Sequence, residues 1–201
     1  MGIRRILKKI LQNKAPDRGR IRQFSESGNL VVGKNCTFQE FSIFIQSPVK
    51  GKVNVIIGDN CWISGSIVLH SPDAQIIIGD DVFIGPRTTL FCYDKITISN
   101  STMISWGCTL IDTNAHSLHS SERENDVRDW LKGPENKNWA VVKRGPVFIE
   151  SKCWVGFNSI ITKDVRLMEG TIIASGSVVT KNTKPYSVYG GNPAIFIKET
   201  D

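Results

Sequence analysis

The sequence predicts an all-β chain wound as a parallel β-helix, and three observations carry that reading. Between Ile149 and Thr183 every sixth residue is a bulky aliphatic: Ile149, Val155, Ile161, Leu167, Ile173 and Val179. The residues four positions after each, Cys153, Ser159, Val165, Thr171, Ser177 and Thr183, are small or β-branched. The same spacing recurs upstream in triplets. A strand alternates with period two and a helix with about 3.6, so neither alone yields a clean six. A short strand, a fixed turn and a second short strand do yield it, and stacked coils then lay one aliphatic on the next.

Met1 to Asn13 reads as an amphipathic helix, with Ile3, Ile6, Leu7, Ile10 and Leu11 on one face and Arg4, Arg5, Lys8 and Lys9 on others. Packing on its own or a neighbouring subunit is the simpler role; peripheral membrane contact through residues 1–14 is the alternative. Lys14 to Gly28 is polar, carries Pro16, Gly19 and Gly28, and reads as a linker.

The repeat proper begins at Leu30. Its inward positions fall as Val32, Phe38, Phe44; Ile57, Ile63, Leu69; Ile78, Ile84, Leu90; Ile98, Ile104, Leu110; Ile149, Val155, Ile161; and Leu167, Ile173, Val179. Three hexapeptides make one triangular coil, so this is about six coils. Breaks in register fall between triplets, at Gln46–Lys52, Ser71–Asp73, Asp94–Lys95 and after Leu110, so insertions are expected to leave from one corner. Gly58-Asp59-Asn60 and Gly79-Asp80-Asp81 supply turn residues tolerant of positive φ. A rod with flat outer faces is best covered by side-by-side packing, which predicts a homo-oligomer, a trimer foremost.

The resulting plan is a helix and linker over 1–29, a β-helix over 30–184 with an inserted loop at 117–144, and a C-terminal loop and tail over 185–201. The insertion holds two helical turns over Ser120–Leu131, then Gly133-Pro134 and Trp139. A loop of this length in a compact repeat is usually functional.

Composition narrows the function classes. The chain has 25 basic and 19 acidic residues, net +6, which favours anionic partners. No basic stripe with interleaved aromatics marks a nucleic-acid binder. No apolar run reaches the ~18 residues of a membrane span, and no signal peptide is read at the N-terminus. Cys36, Cys61, Cys108 and Cys153 occupy the small slot of the repeat, so they read as packing residues, and reduced thiols place the chain in the cytoplasm. No Cys/His zinc spacing is present and no metal is expected.

Of three histidines, His116 stands apart, because it lies six residues after Leu110, where the next inward aliphatic belongs. An imidazole at a coil edge facing a neighbouring subunit is suited to general-base work. The surrounding string is Ile111-Asp112-Thr113-Asn114-Ala115-His116-Ser117-Leu118-His119.

The hexapeptide coils, the Thr-Asn-Ala-His-Ser-Leu segment followed by Ser121-Glu122-Arg123, and the terminal Gly190-Gly191-Asn192-Pro193-Ala194 together resemble the left-handed β-helix acetyltransferases. Within that family the likeness is to the maltose, galactoside and Nod-factor acetyltransferase branch and the related polysaccharide O-acetyltransferases, over residues 30–198. The resemblance implies a left-handed coil, against the usual preference for right-handed crossovers. It also implies a trimer with active sites between rods, acetyl-CoA as co-substrate, and His116 as the base in direct transfer to a sugar hydroxyl of a surface polysaccharide or its lipid-linked precursor. For the cofactor it implies Trp154, Gly156, Phe157, Ala174, Ser175, Thr180, Lys181, Asn192, Pro193 and Lys198. Ile195 departs from a position that is commonly basic in the family.

For the acceptor, Asp112 and Asn114 are the nearest polar groups to His116; Asp112 is suited to orienting the imidazole, binding a hydroxyl or closing a turn. Arg87 stands where maltose-type enzymes carry a substrate-binding Asn, and Trp106 and Trp139 are candidates for stacking on a sugar, with loop packing the alternative for Trp139. His119 reads as solvated. A sugar-amine N-acetyltransferase is the runner-up; a γ-type carbonic anhydrase with three zinc-binding histidines and a non-catalytic scaffold are the remaining readings.

Overall fold

Three parallel ladders run along the repeat, one for each strand of a coil. The computed structural model describes residues 18–200, so the helix expected over Met1–Asn13 and its membrane alternative lie outside the described residues. The first face is a six-stranded sheet of Leu30–Val32, Val55–Ile57, Gln75–Ile78, Lys95–Ile98, Val147–Ile149 and Arg166–Leu167, each parallel to the next. The second face joins Thr37–Phe38, the starts of Trp62–Leu69 and Phe83–Cys92, Met103–Ile104, Trp154–Val155 and Ile172–Ile173. The third joins Ser42–Ile45, the ends of those two long strands, Thr109–Ile111, Ile160–Ile161 and Val178–Val179.

The aliphatic ruler explains this stacking. Ile63, Ile84, Ile104, Val155 and Ile173 lie in register on the second face, and all are buried. Parallel pairing leaves each inward side chain directly over its counterpart, so a period-six aliphatic becomes a continuous apolar column.

The third face corrects the expected register in the first two coils. Ile43 and Ile67, not Phe44 and Leu69, align with Leu90 and Leu110. Ile43 stands five residues after Phe38, and Ile67 four after Ile63, so the turn between the second and third faces is short there. Gly65 permits the tightest of these turns: a Cβ on it would lie 2.5 Å from the Thr88 carbonyl oxygen. Phe44 therefore points outward, 41% exposed, beneath the guanidinium of Arg20. Leu69 and Ile45, two residues beyond the true inward positions, are buried as the strand continues its alternation. Register breaks thus occur within coils as well as between them.

Corners are closed by small residues. Cys36, Cys61, Val82, Thr102, Cys153 and Thr171 stack where the first face turns into the second, each carbonyl from Cys61 onward accepting an N–H from the preceding coil. Cys108 belongs to the next corner, in line with Thr88, Ser159 and Ser177. Burial pushes the Cys61 thiol up to about 11 and the Cys153 thiol up to about 12, and raises Cys92 and Cys108. On the first corner a polar ladder runs alongside: the Lys34 N–H donates to Asp59 Oδ1 at 2.6 Å, the Asp59 N–H to Asp80 Oδ1 at 2.8 Å, and the Asp80 N–H to Asn100 Oδ1 at 3.0 Å. Asn60 and Asp81 take φ of 57°, as the turn pattern requires.

Both ends of the rod are covered. Residues read as a linker form a helix, α1, Arg18–Glu26, whose Phe24 is buried and whose Ile21 packs on the core at the first coil. At the other end the expected loop and tail are a hairpin. Ser187–Gly191 continues the second face in parallel, and Ala194–Glu199 returns antiparallel to it around a cis Asn192–Pro193 bond.

Candidate active site

The site begins where the repeat is interrupted. Leu110 still points inward, and Asp112, two residues on, turns its carboxylate into the fold. That carboxylate accepts the backbone N–H groups of Tyr93, at 2.8 Å, Asp94, at 2.7 Å, and Lys95, at 2.9 Å, and it lies 3.4 Å from the Cys92 sulfur. Burial raises its pKa while the backbone donors oppose that shift. Asp112 therefore closes the turn at Tyr93–Lys95 and is fully buried, which corrects its assignment as a substrate-binding group or imidazole partner.

The insertion is pinched at its base. Thr113 bridges antiparallel to Arg144, the Asn114 N–H donates to the Lys143 carbonyl at 2.8 Å, and the Gly145 N–H donates to the Asp112 carbonyl at 2.9 Å. Ala115 then takes φ of 59°, held by its N–H on Thr113 Oγ1 at 3.0 Å, and the chain swings His116 outward. Beyond it, Ser117 donates to the Glu122 carboxylate, and the Arg123 guanidinium donates to the carbonyls of Ser117 and Leu118 at 3.2 and 2.7 Å. The Ser-Glu-Arg segment, in helix α2 (Ser120–Arg123), thus clasps the residues that follow His116.

Helix α3, Asp126–Lys132, brings the partner that the sequence reading missed. The carboxylate of Asp126 meets Nδ1 of His116, and Trp130 from the same helix lies edge-on to the ring at 5.4 Å. A second missed residue, Lys137, donates to Asp126 Oδ2 at 2.8 Å. With a carboxylate on Nδ1, that nitrogen carries the proton, and Nε2, which has no hydrogen-bond partner among the described residues, carries the lone pair. The His116 side chain is 40% exposed, against 8% for Asp126 and 0% for Lys137. The arrangement is a base oriented from behind and open in front. The hydrogen bond to Lys137 holds the Asp126 carboxyl below the usual carboxylate range.

Trp139 is half-buried and packs the loop against the rod, 4.5 Å from Tyr93 and 5.4 Å from His70. Trp139 and His70, with Phe91, Ile111 and Trp130, line a pocket of about 320 Å³. His70 stacks on Phe91, and burial lowers its pKa. His119 is exposed. Among the described residues no group of three or more His, Cys, Asp or Glu could hold a metal ion.

The structure separates the remaining candidates into two edges. Gly156, Phe157, Ala174 and Ser175 share the corner between the second and third faces in the last coils, where the Gly176 N–H reaches the Phe157 carbonyl at 2.8 Å. A Cβ on Gly156 would sit 2.6 Å from the Ser175 nitrogen, so close backbone approach alone demands glycine there. Trp154 is exposed on the adjoining second face, and Phe157 stacks in parallel on Trp106 at 4.9 Å. Asn192 and Pro193 form the hairpin tip, and Lys198 lies on its second strand. Arg87, exposed at φ of 61°, belongs to the corner between the second and third faces two coils below, not to the His116 neighbourhood. Thr180 and Lys181 leave the third face on the His116 side. One face of the rod thus stands between His116 and most of the cofactor candidates within a single chain.

A family described as the hexapeptide repeat of succinyl-transferase matches residues 146–181. A dTDP-4-amino-4,6-dideoxy-D-glucose acyltransferase from Escherichia coli is 28% identical over 88% of this chain and 85% of its own length. The chain is similar to hexapeptide-repeat acyltransferases. A bifunctional GlmU protein from Thermotoga petrophila is 27% identical over 86% of this hexapeptide-repeat chain, which spans 37% of that relative's length. Among solved structures, an N-acyltransferase, AntD, from Bacillus cereus in complex with dTDP and coenzyme A superposes with a TM-score of 0.68 at 22% identity, covering 94% of this chain and 92% of that one. VCA0836 from Vibrio cholerae, complexed with acetyl coenzyme A, gives 0.55 at 23% identity, covering 94% and 81%. These structural likenesses concern the shared fold.

Proposed function

We propose that this chain transfers an acetyl group from acetyl-CoA to a hydroxyl of a sugar or glycan, with His116 as general base. The observation that carries the reading is the His116–Asp126 pair at the coil edge, with Nδ1 engaged and Nε2 without a hydrogen-bond partner among the described residues. In the reaction, Nε2 takes the proton from the acceptor hydroxyl as its oxygen attacks the thioester carbonyl. The new C–O bond forms, the C–S bond breaks, and the proton on His116 passes to the departing thiolate. Cys61, Cys92, Cys108 and Cys153 are not suited to a covalent intermediate, because they are buried and all have raised pKa values. Trp154, Gly156, Phe157, Ala174 and Ser175 would border the pantetheine arm, Thr180 and Lys181 would add polar contacts, and Asn192, Pro193 and Lys198 would lie toward the nucleotide end.

Because most of those residues, Thr180 and Lys181 excepted, lie across the third face from His116, a complete site calls for a second copy alongside. Outward side chains of the second face support such packing: Trp62, Met103 and Trp154 are 49%, 51% and 46% exposed in one chain. A homotrimer of left-handed rods, each groove shared by two copies, satisfies both requirements. No helix among the described residues is long and apolar enough to cross a membrane. Cytoplasmic work on a lipid-linked acceptor, aided by the basic segment at residues 1–14, completes the reading.

A second reading rests on the relatives, two of which are named for acyl transfer to an amino sugar or to nitrogen. It makes the acceptor an amine on a nucleotide-linked sugar. The test is a panel of sugars, nucleotide sugars and amino sugars with acetyl-CoA, followed by free-thiol release and mass spectrometry. O-transfer yields a product stripped by hydroxylamine, N-transfer yields one that resists it, and no acceptor-dependent thiol release removes the transferase reading.

A further inference from the structure

Lys137 brings a full positive charge to the back of the His116–Asp126 pair. Its side chain is 0% exposed, and its ammonium lies 2.8 Å from Asp126 Oδ2 and 3.3 Å from His116 Nδ1. The faces of Trp130 and Trp139 lie 4.9 and 5.2 Å from it. Removing an ammonium from water is costly unless it is paired, and here a carboxylate and two indole faces replace the solvent. Since Nδ1 already donates to the carboxylate, the 3.3 Å approach of the ammonium is a charge contact and not a second hydrogen bond.

Electrostatics give this placement a consequence. A lone buried carboxylate at Nδ1 orients a histidine but also stabilises the imidazolium, which has no lone pair with which to take a proton. An ammonium on the same carboxylate cancels that bias, because the pair behind the ring is then neutral overall. The other charged and titratable groups nearby are engaged elsewhere: Glu122 on Ser117, Arg123 on the carbonyls of Ser117 and Leu118, Arg144 on Asp94, Asp112 on backbone amides, and His70 against Phe91. Lys137 is the group placed to balance Asp126.

We propose that Lys137 is a positioning residue that holds Asp126 as the anionic orienter of His116 while keeping the imbalance of charge from locking the imidazole in its protonated form. The inference rests on His116 acting as the base. It separates orientation, supplied by Asp126, from availability of the lone pair, supplied by Lys137.

The test compares wild type with Lys137→Gln, which keeps a donor to Asp126 without the charge, and Lys137→Arg, which keeps the charge. In Lys137→Gln the acidic limb of the kcat–pH profile is expected to move to higher pH by about one unit, so that kcat falls by about tenfold on the acid side of the limb, less near neutrality, and recovers as pH rises. KM for acetyl-CoA stays put, and Lys137→Arg restores most of the wild-type profile. A Gln variant with an unmoved acidic limb, or with kcat reduced equally at all pH, overturns the proposal. The ring protons of His116 in NMR titrations of wild type and Lys137→Gln, assigned with His116→Ala, give a readout independent of turnover. The variant midpoint is expected to lie higher, and coincident midpoints overturn the role of Lys137. Wild-type activity that survives His116→Ala would instead remove the base assignment, leaving the NMR comparison to decide Lys137 by itself.

Discussion

His116 and Asp126, ten residues apart, meet across the first two turns of the insertion, imidazole Nδ1 against a nearly buried carboxylate. His116→Ala should leave folding and coenzyme A binding intact and lower kcat by about a hundredfold to ten-thousandfold. Asp126→Asn should lower it by about a hundredfold or more, because an amide that donates to Nδ1 moves the ring proton to Nε2. Steady-state kinetics beside a coenzyme A titration checks both; near-normal turnover of either variant would sink the base assignment.

Asp112 supports the site from below. Asp112→Ala would strand the N–H groups of Tyr93, Asp94 and Lys95, and should cost about 3 kcal/mol of stability. Asp112→Asn, which keeps one acceptor oxygen, should cost less. Urea denaturation distinguishes them, and an Ala variant as stable as wild type would mean that water replaces the carboxylate freely.

Acid should loosen the insertion before the rod. The folded Asp126 carboxyl lies below its ordinary value of 3.8, chiefly through its hydrogen bond from Lys137. Its contribution is therefore complete above that value and is lost as pH falls through the lower folded one. Asp112, raised by burial, acts in the opposite sense, since its protonated form is the one favoured inside the fold. A local probe is thus needed. Pepsin cleavage within residues 117–144 should accelerate below about pH 4 while the repeat stays intact, and cleavage spread evenly along the chain would contradict this.

The outward aromatic stripe should govern assembly. Trp62→Glu together with Met103→Glu places charge in an apolar face that is half exposed in one chain. Sedimentation should show the double variant shifted to monomer, with thiol release lost alongside, as a site shared between copies requires. A monomeric variant with full activity would place the whole site within one chain.

Much of the architecture is legible in the residues because its contacts repeat. Ile149, Val155 and Ile161 each meet a counterpart one coil away, so a linear period reports a stacking geometry. His116 is legible for the converse reason, as the polar residue where the period fails. Phe44 misled because the preceding turn is one residue short, and a fixed ruler cannot register a contraction that only Gly65 hints at in the coil above. Helix α1 was hidden by its composition: Ile21 and Phe24 are its only apolar residues, too few for a visible stripe. Asp126 and Lys137 sit in non-repeating sequence, where spacing along the chain says nothing about which charges converge.

The ladder of Asp59, Asp80 and Asn100 has a direction. Each of these oxygens accepts an amide from the coil before it, so every turn of the rod is finished by the one synthesised next. A nascent chain leaving the ribosome would carry an incomplete last rung at every stage, and the growing end would become self-sufficient only when the hairpin at Ser187–Glu199 closes over it. Closure of that hairpin, rather than the emergence of any single coil, would then mark the moment at which the rod can stand alone.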